Sequence, residues 1–276
     1  MGREPSGRTR VAAVIGNPAR HSLSPRLHNA AFAATGLDWT FVAFEPAPDA
    51  GAAAVEAMRA LGLGGLSVTM PFKEQVAAAV DELAPAAAAL GAVNCVRWDG
   101  DRLVGENTDG VGFIGALAAE HGYDVAGRRC VVVGAGGAGR AVVAALASGG
   151  AAEVVVVNRT RGKAEAAAAL AGPSGRVGDP AAVEDADLVV NATSLGMRPG
   201  DPLPLPVERL RSDQVVADLI YHPAVTLLLE VAAAVGATAV NGLGMLVHQA
   251  AAAFTHWTGT PAPIGAMRDA VADALA

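Results

Sequence analysis

Six residues, Gly134-Ala135-Gly136-Gly137-Ala138-Gly139, constrain this chain more than any others. They follow the apolar run RRCVVV (128–133) and open an alanine-rich stretch, 138–148, that reads as a helix. A G-x-G-x-x-G loop between a buried strand and a helix has a mechanical reason for each glycine. Gly134 makes the tight turn, Gly136 lets the backbone approach a pyrophosphate, and Gly139 lets helix and strand pack closely. The N–H groups at the helix start, with the helix dipole behind them, then face an anion. A glycine-rich turn with no ligand is the competing reading; the strand–loop–helix context favours a dinucleotide.

The rest of the chain alternates in the same way. Strands are expected at 11–16, 39–45, 65–69, 94–98, 102–107, 128–133, 153–158, 186–193 and 214–220. Between them lie helical stretches at 25–35, 49–61, 73–80, 82–90, 110–121, 138–148 and 163–171. Alternation of this kind points to a doubly wound, parallel α/β architecture. The 276 residues suffice for two domains, and the style changes near 109, inside GENTDGVG. Helical segments from about 243 follow the second sheet.

Composition excludes several classes. With 52% hydrophobic and 17% charged residues the chain is not disordered. A net charge of -7 opposes a nucleic-acid partner, because phosphate binding needs a basic field. The apolar stretch 231–254 is interrupted by Asn241, His248, Gln249 and three glycines, so a buried helix after a loop is expected, not a membrane span. Two cysteines, Cys95 and Cys130, and no visible secretory signal lead to a cytoplasmic assignment. No metal is expected: His21 and His28 lack a third ligand, and no H-E-x-x-H, G-x-S-x-G or Walker pattern occurs.

Two further features carry chemistry. An NAD site usually has Asp or Glu about 20 residues beyond the glycines, to bind a ribose hydroxyl. Here the second strand ends in Asn158-Arg159-Thr160, followed by Lys163. Arg159 suits stacking on adenine and gripping a 2′-phosphate, which favours NADP; an ordinary solvated helix start is a poor alternative, since cations there oppose the dipole. The chain also has only two lysines, Lys73 and Lys163. Lysine, unlike arginine, can exchange a proton near neutrality. Lys73 stands at a strand-to-helix junction after SVTMPF, and Asp109 at another in NTDG. Thr108 or Asp109, and likewise Ser22 or Ser24 before Pro25, could instead be helix caps, and Asn94 could close a turn.

Taken in order, nine motifs resemble the shikimate dehydrogenase family over nearly the whole chain: GNPARHSLSP (16–25), SVTMPFK (67–73), GAVN (91–94), NTDGVG (107–112), GAGGAGRA (134–141), NRTRGKA (158–164), NATSLGM (191–197), DLIYHPAVT (218–226) and NGLGMLVHQAAAAF (241–254). The resemblance implies an N-terminal α/β substrate domain, 1–109 plus 242–276, and a Rossmann-type doubly wound NADP domain, 110–241, with the C-terminal helices returning to the first domain. It implies Lys73 and Asp109 as the catalytic pair, and Ser22 and Ser24 as ligands of a substrate carboxylate. Thr69, Asn94, Tyr221 and Gln249 would line the rest of the substrate site. Gly134, Ala135, Gly136, Gly137, Ala138 and Gly139, with Asn158, Arg159, Thr160, Lys163 and Thr193, would hold the cofactor, and Gly242 and Met245 its nicotinamide end. One departure is Ser67, where the family commonly has asparagine: a hydroxyl replaces an amide.

The implied reaction is reversible NADPH-dependent reduction of 3-dehydroshikimate to shikimate in the shikimate pathway, by a monomer or homodimer. Ser24 and the NADP-type loop lean away from quinate within the resemblance. A quinate/shikimate or aminoshikimate dehydrogenase is the first alternative. An NADP-sensing protein without catalysis is the second, and the presence of both Lys73 and Asp109 opposes it.

Overall fold

β-Branched runs become strands where helices can cover them, and the computed structural model, which describes residues 4–272, shows two such assemblies. One unit runs up to Thr108 and resumes at Val247; the other spans Asp109–Leu246. The outer ends of the expected substrate domain, 1–3 and 273–276, lie outside the described residues.

The first unit contains β1 (Arg10–Ile15), α1 (Ser24–Thr35), β2 (Trp39–Phe44), α2 (Gly51–Leu61), β3 (Gly65–Val68), α3 (Lys73–Ala77), β4 (Glu82–Leu83), α4 (Pro85–Leu90), β5 (Cys95–Asp99) and β6 (Arg102–Glu106). Its sheet has the order β2-β1-β3-β5-β6-β4. β1 pairs in parallel with β2 and β3, but β5 runs antiparallel to both β3 and β6. Asp99-Gly100-Asp101 is a turn signal in the sequence, after which RLVGEN is expected to return as a strand, and β5 and β6 form that hairpin. The parallel alternation holds for β2, β1 and β3. The helix expected over 82–90 is shorter. Ala84 is extended (φ -63, ψ 155), because the residue before a proline avoids the helical region, so Glu82–Leu83 joins the sheet and the helix begins at Pro85.

The second unit follows with α5 (Asp109–His121), β7 (Arg129–Val133), α6 (Gly137–Ser148), β8 (Glu153–Val157), α7 (Arg161–Ala169), β9 (Gly175–Val177), β10 (Leu188–Asn191), β11 (Val215–Asp218), α8 (Leu227–Ala234) and β12 (Thr238–Val240). The sheet order is β12-β11-β10-β7-β8-β9, and every pairing is parallel. Its central strands are unbroken valine runs because helices cover both faces. The order reverses between β7 and β10, which makes the carboxyl ends of those strands a topological switch point. The three-residue strands β9 and β12 are too short to show a period, and neither was expected.

The chain then enters α9 (Leu243–Thr258) and α10 (Ile264–Ala272). From Val247 onward these helices belong to the first unit. The Phe254 ring lies 5.4 Å from that of Phe32, and Trp257 Nε1 donates to the Val96 carbonyl at 3.0 Å. Phe32, Phe41 and Phe254 are fully buried, and each such side chain contributes roughly 1.5–3 kcal/mol of burial. The C-terminal helices therefore complete the core of the first unit.

Candidate active site

At one end of the inner strands of the first sheet, backbone hydrogen bonds draw distant segments together. Thr69 N–H donates to the Ile15 carbonyl (2.9 Å), and Asn17 N–H to that of Met70 (3.0 Å). Val68 N–H reaches the Asn94 carbonyl at 2.7 Å, and Val93 N–H reaches that of Lys73 at 3.0 Å. Asn94 N–H donates to the Glu106 carbonyl at 3.0 Å. The buried Asn94 amide then grips the next chain segment: its Oδ1 accepts Thr108 N–H (2.8 Å), and its Nδ2 donates to Thr108 Oγ1 (3.0 Å). Asn107 Nδ2 adds a bond to the Ala92 carbonyl at 3.0 Å. Thr69, Lys73 and Asn94 are thus gathered where strands end, and Asp109 follows Thr108 directly in the chain. Asn94 is more than a turn residue: it clamps the Thr108 junction.

Ser22 lies half-buried on the loop entering α1, and Ser24, also half-buried, is the first residue of that helix. The N-cap of α1 is Leu23, with no side-chain cap bond, so neither serine caps the helix in the expected way. Ser22 Oγ instead accepts Ser24 N–H at 3.3 Å. Gln249 is half-buried on α9, in its first-unit portion. Ser67 lies within β3, opposite Val14 and Cys95. His28, one turn into α1, is fully buried and stacks on Phe41 at a ring separation of 4.4 Å. Burial pushes its pKa down to about 3, so it is a neutral core histidine.

In the second unit the glycine loop behaves as its spacing requires. Gly134 has φ +108, and a Cβ there would come within 2.8 Å of the Ala192 carbonyl. A Cβ on Gly139 would overlap the Gly134 carbonyl. Around Gly136 and Gly137 there is open space, and α6 starts with no side-chain cap and no acidic residue in its first turn. These N–H groups fit a pyrophosphate. Ala135 is buried and Ala138 half-buried beneath them. Asn158 Oδ1 accepts Ala135 N–H (3.2 Å) while its Nδ2 donates to the Thr160 carbonyl (3.0 Å), so this amide ties the loop to the end of β8. Arg159, Thr160 and Lys163 are exposed at that end. Arg161 turns aside to pair with Glu165 at 2.8 Å. No carboxylate occupies the tip, so the arrangement fits a 2′-phosphate better than a free ribose hydroxyl.

Thr193 and Tyr221 belong to the neighbouring loops, after β10 and β11. A buried polar network that the motif reading did not single out supports both. Asp218 accepts from Asn191 Nδ2 (3.0 Å), Thr226 Oγ1 (2.7 Å) and Ile220 N–H (3.1 Å). Asn191 Oδ1 in turn accepts from Thr193 Oγ1 (2.7 Å) and Thr193 N–H (3.1 Å). Burial raises the Asp218 pKa, against the pull of these donors. Burial likewise raises that of Tyr221. A carboxylate closing the otherwise apolar run VVAD was the available signal. Gly242 packs so closely on the Leu219 carbonyl that no side chain fits, and Asn241 Oδ1 accepts Leu243 N–H (3.1 Å) at the start of α9, beside half-buried Met245. The structure thus sorts the candidates into two groups, one on each unit.

A parallel sheet in 3-2-1-4-5-6 order, with an open glycine loop at its switch point, defines a dinucleotide-binding α/β protein. Family profiles match three parts of the chain: the shikimate dehydrogenase substrate binding domain at residues 14–96, shikimate / quinate 5-dehydrogenase at 116–196, and the shikimate 5′-dehydrogenase C-terminal domain at 242–272. The chain is 48% identical over 265 residues to shikimate dehydrogenase (NADP(+)) of Halobacterium salinarum, covering 95% of this chain and 98% of that protein. It is 45% identical over 278 residues to shikimate dehydrogenase (NADP(+)) of Moorella thermoacetica, covering 97% and 94%. The crystal structure of shikimate 5-dehydrogenase from Thermus thermophilus, in complex with NADP(H) and shikimate, superposes with a TM-score of 0.90 at 38% identity, covering 97% of this chain and 100% of that one. The chain belongs to the shikimate dehydrogenase family.

Proposed function

We propose that the chain catalyses the reversible NADPH-dependent reduction of 3-dehydroshikimate to shikimate, a step toward chorismate and the aromatic amino acids. The observation that carries this is identity of 45–48% over nearly the full length of NADP-dependent shikimate dehydrogenases. The first unit, with the C-terminal helices, takes the substrate and the second takes NADP. Ser22 and Ser24 hold the substrate carboxylate; Thr69, Asn94, Tyr221 and Gln249 hold its ring. Gly134 to Gly139 cradle the pyrophosphate, Arg159, Thr160 and Lys163 grip the adenosine phosphate, and Asn158 and Thr193 set the flanking loops. Gly242 and Met245 border the nicotinamide.

When bound, the cofactor supplies or accepts the hydride. Lys73 Nζ moves the proton: as an ammonium it donates to the carbonyl oxygen during reduction, and as a neutral amine it accepts from the hydroxyl during oxidation. Asp109 orients the reacting hydroxyl and the ammonium. The place of action is the cytoplasm, where the buried, unbridged Cys95 and Cys130 remain thiols. Among the described residues no helix is long and apolar enough to cross a membrane.

The test is the initial rate of shikimate oxidation, followed by absorbance of the reduced nicotinamide, with NADP and NAD in parallel and quinate as second substrate. Turnover with shikimate and NADP is expected. Preference for quinate or NAD would move the chain to the quinate branch and overturn the roles of Ser24 and Arg159.

A further inference from the structure

The loop 16–23 belongs to no helix or strand, so its backbone N–H groups need partners from elsewhere. One side chain supplies two of them. Glu45, the residue after β2, accepts Ala19 N–H (2.8 Å) and Arg20 N–H (2.9 Å) on a single oxygen, Oε1. Its Oε2 accepts Arg20 Nε–H at 2.8 Å. The same short segment holds the loop twice more: Gly16 N–H donates to the Phe44 carbonyl (3.2 Å), and Asn17 Nδ2 to that of Pro46 (2.8 Å). The loop's geometry is carried forward from there. Ser22 N–H donates to the Ala19 carbonyl at 3.0 Å, and Ser22 Oγ accepts Ser24 N–H. The backbone bond from Ala19, followed by the Arg20 guanidinium, holds the Glu45 carboxyl below the usual glutamate range, so it is an anion at neutral pH.

We infer that Glu45 is a positioning residue for substrate recognition: it fixes the loop that carries Ser22 and leads into Ser24, the first residue of α1, and so sets both serines toward the substrate carboxylate. This rests on the function proposed above. Charge-assisted bonds to backbone N–H groups are among the stronger hydrogen bonds, and small misplacements of binding groups are costly. The Glu45 carboxylate bonds to Ala19 and Arg20, so its removal acts through the loop that leads to the serines. The glycine loop of the second unit makes no part of this network.

Three variants test this: Glu45→Ala, Glu45→Gln and Arg20→Ala, each checked for an unchanged far-ultraviolet spectrum. Glu45→Ala is expected to raise KM for shikimate roughly tenfold. Its kcat and its Kd for NADP, measured by fluorescence titration, should stay within about threefold. Glu45→Gln keeps an Oε1 acceptor and should recover most of the loss. Arg20→Ala keeps the backbone N–H and should change KM by less than about twofold. An unchanged KM for shikimate in Glu45→Ala, or an equal rise in the NADP Kd, overturns the inference. A loss in Arg20→Ala as large as in Glu45→Ala overturns it too, because the guanidinium would then be the positioning group. If the unaltered enzyme neither turns over nor binds shikimate, the functional reading itself fails, and the inference with it.

Discussion

The two six-stranded sheets solve the same problem in opposite ways. The second is wholly parallel, and its candidate ligand-binding groups are backbone N–H groups from one turn after β7. The first is mixed, and its candidate groups are side chains from segments near 22, 69, 73, 94 and 249. A site made of backbone needs glycines at fixed spacing and is tolerant of side-chain identity around it. A site made of side chains needs strand order to bring them together, so it depends on hydrogen bonds such as those of Asn94 to Thr108.

The largest effect should separate the chemistry of the first unit from the binding of the second. Lys73→Ala is expected to lower kcat by about 10²–10⁴ while the Kd for NADP moves little. Steady-state kinetics and fluorescence titration on one preparation would show it. A near-normal kcat would sink the assignment of Lys73.

Acid should also distinguish the units. His28 is neutral when folded, with its pKa lowered to about 3, and takes a proton near 6.5 when unfolded. Between those values the unfolded chain binds the extra proton. The stabilisation is therefore complete above pH 6.5 and is lost as pH falls toward 3, on the order of 5 kcal/mol in all. Asp218 runs the other way: its folded pKa is raised, so its burial destabilises above that value and is relieved on acidification. Trp39, Trp98 and Trp257 all lie in the first unit, so tryptophan fluorescence during acid unfolding reads that unit. His28→Phe should flatten the acid limb. An unchanged acid limb would show that another group governs it.

Smaller effects sharpen the cofactor side. Gly139→Ala forces the helix away from the Gly134 carbonyl and should weaken NADP binding by about tenfold or more, with a stability loss of roughly 1–3 kcal/mol. Titration and thermal melts measure both; an unchanged Kd would mean that the loop does not hold the pyrophosphate. Arg159→Ala should raise KM for NADP about tenfold and leave that for NAD nearly unchanged, removing one charge-assisted contact. Equal losses for the two cofactors would rule out a 2′-phosphate role. Smallest is Trp257→Phe, which deletes the bond to the Val96 carbonyl and should cost about 0.5–1.5 kcal/mol in the first unit alone.

The same contrast explains what could be read in advance. The strand before Gly134, the loop and α6 were legible because each follows from local rules acting over about 15 residues. The missing carboxylate beyond β8 was legible for the same reason. Glu45 was not, because its partners lie on a separate segment and no spacing rule links them; of the Asn191–Asp218–Thr226 network only the carboxylate closing VVAD gave a signal. The short strands β4, β9 and β12 escaped because pairing, not periodicity, makes them strands.

Local chemistry alone determined the alternating α/β plan, the dinucleotide loop and its preference for a phosphorylated ribose, because turns, helices and valine runs are set by neighbours in the chain. Folding decided the rest. It paired β5 with β3, brought Trp257 onto Val96 across 161 residues, and held Ser22, Thr69, Lys73 and Asn94 in one unit. Such contacts form only when distant segments share a core, since their hydrogen bonds and buried area must outweigh the entropy of bringing those segments together.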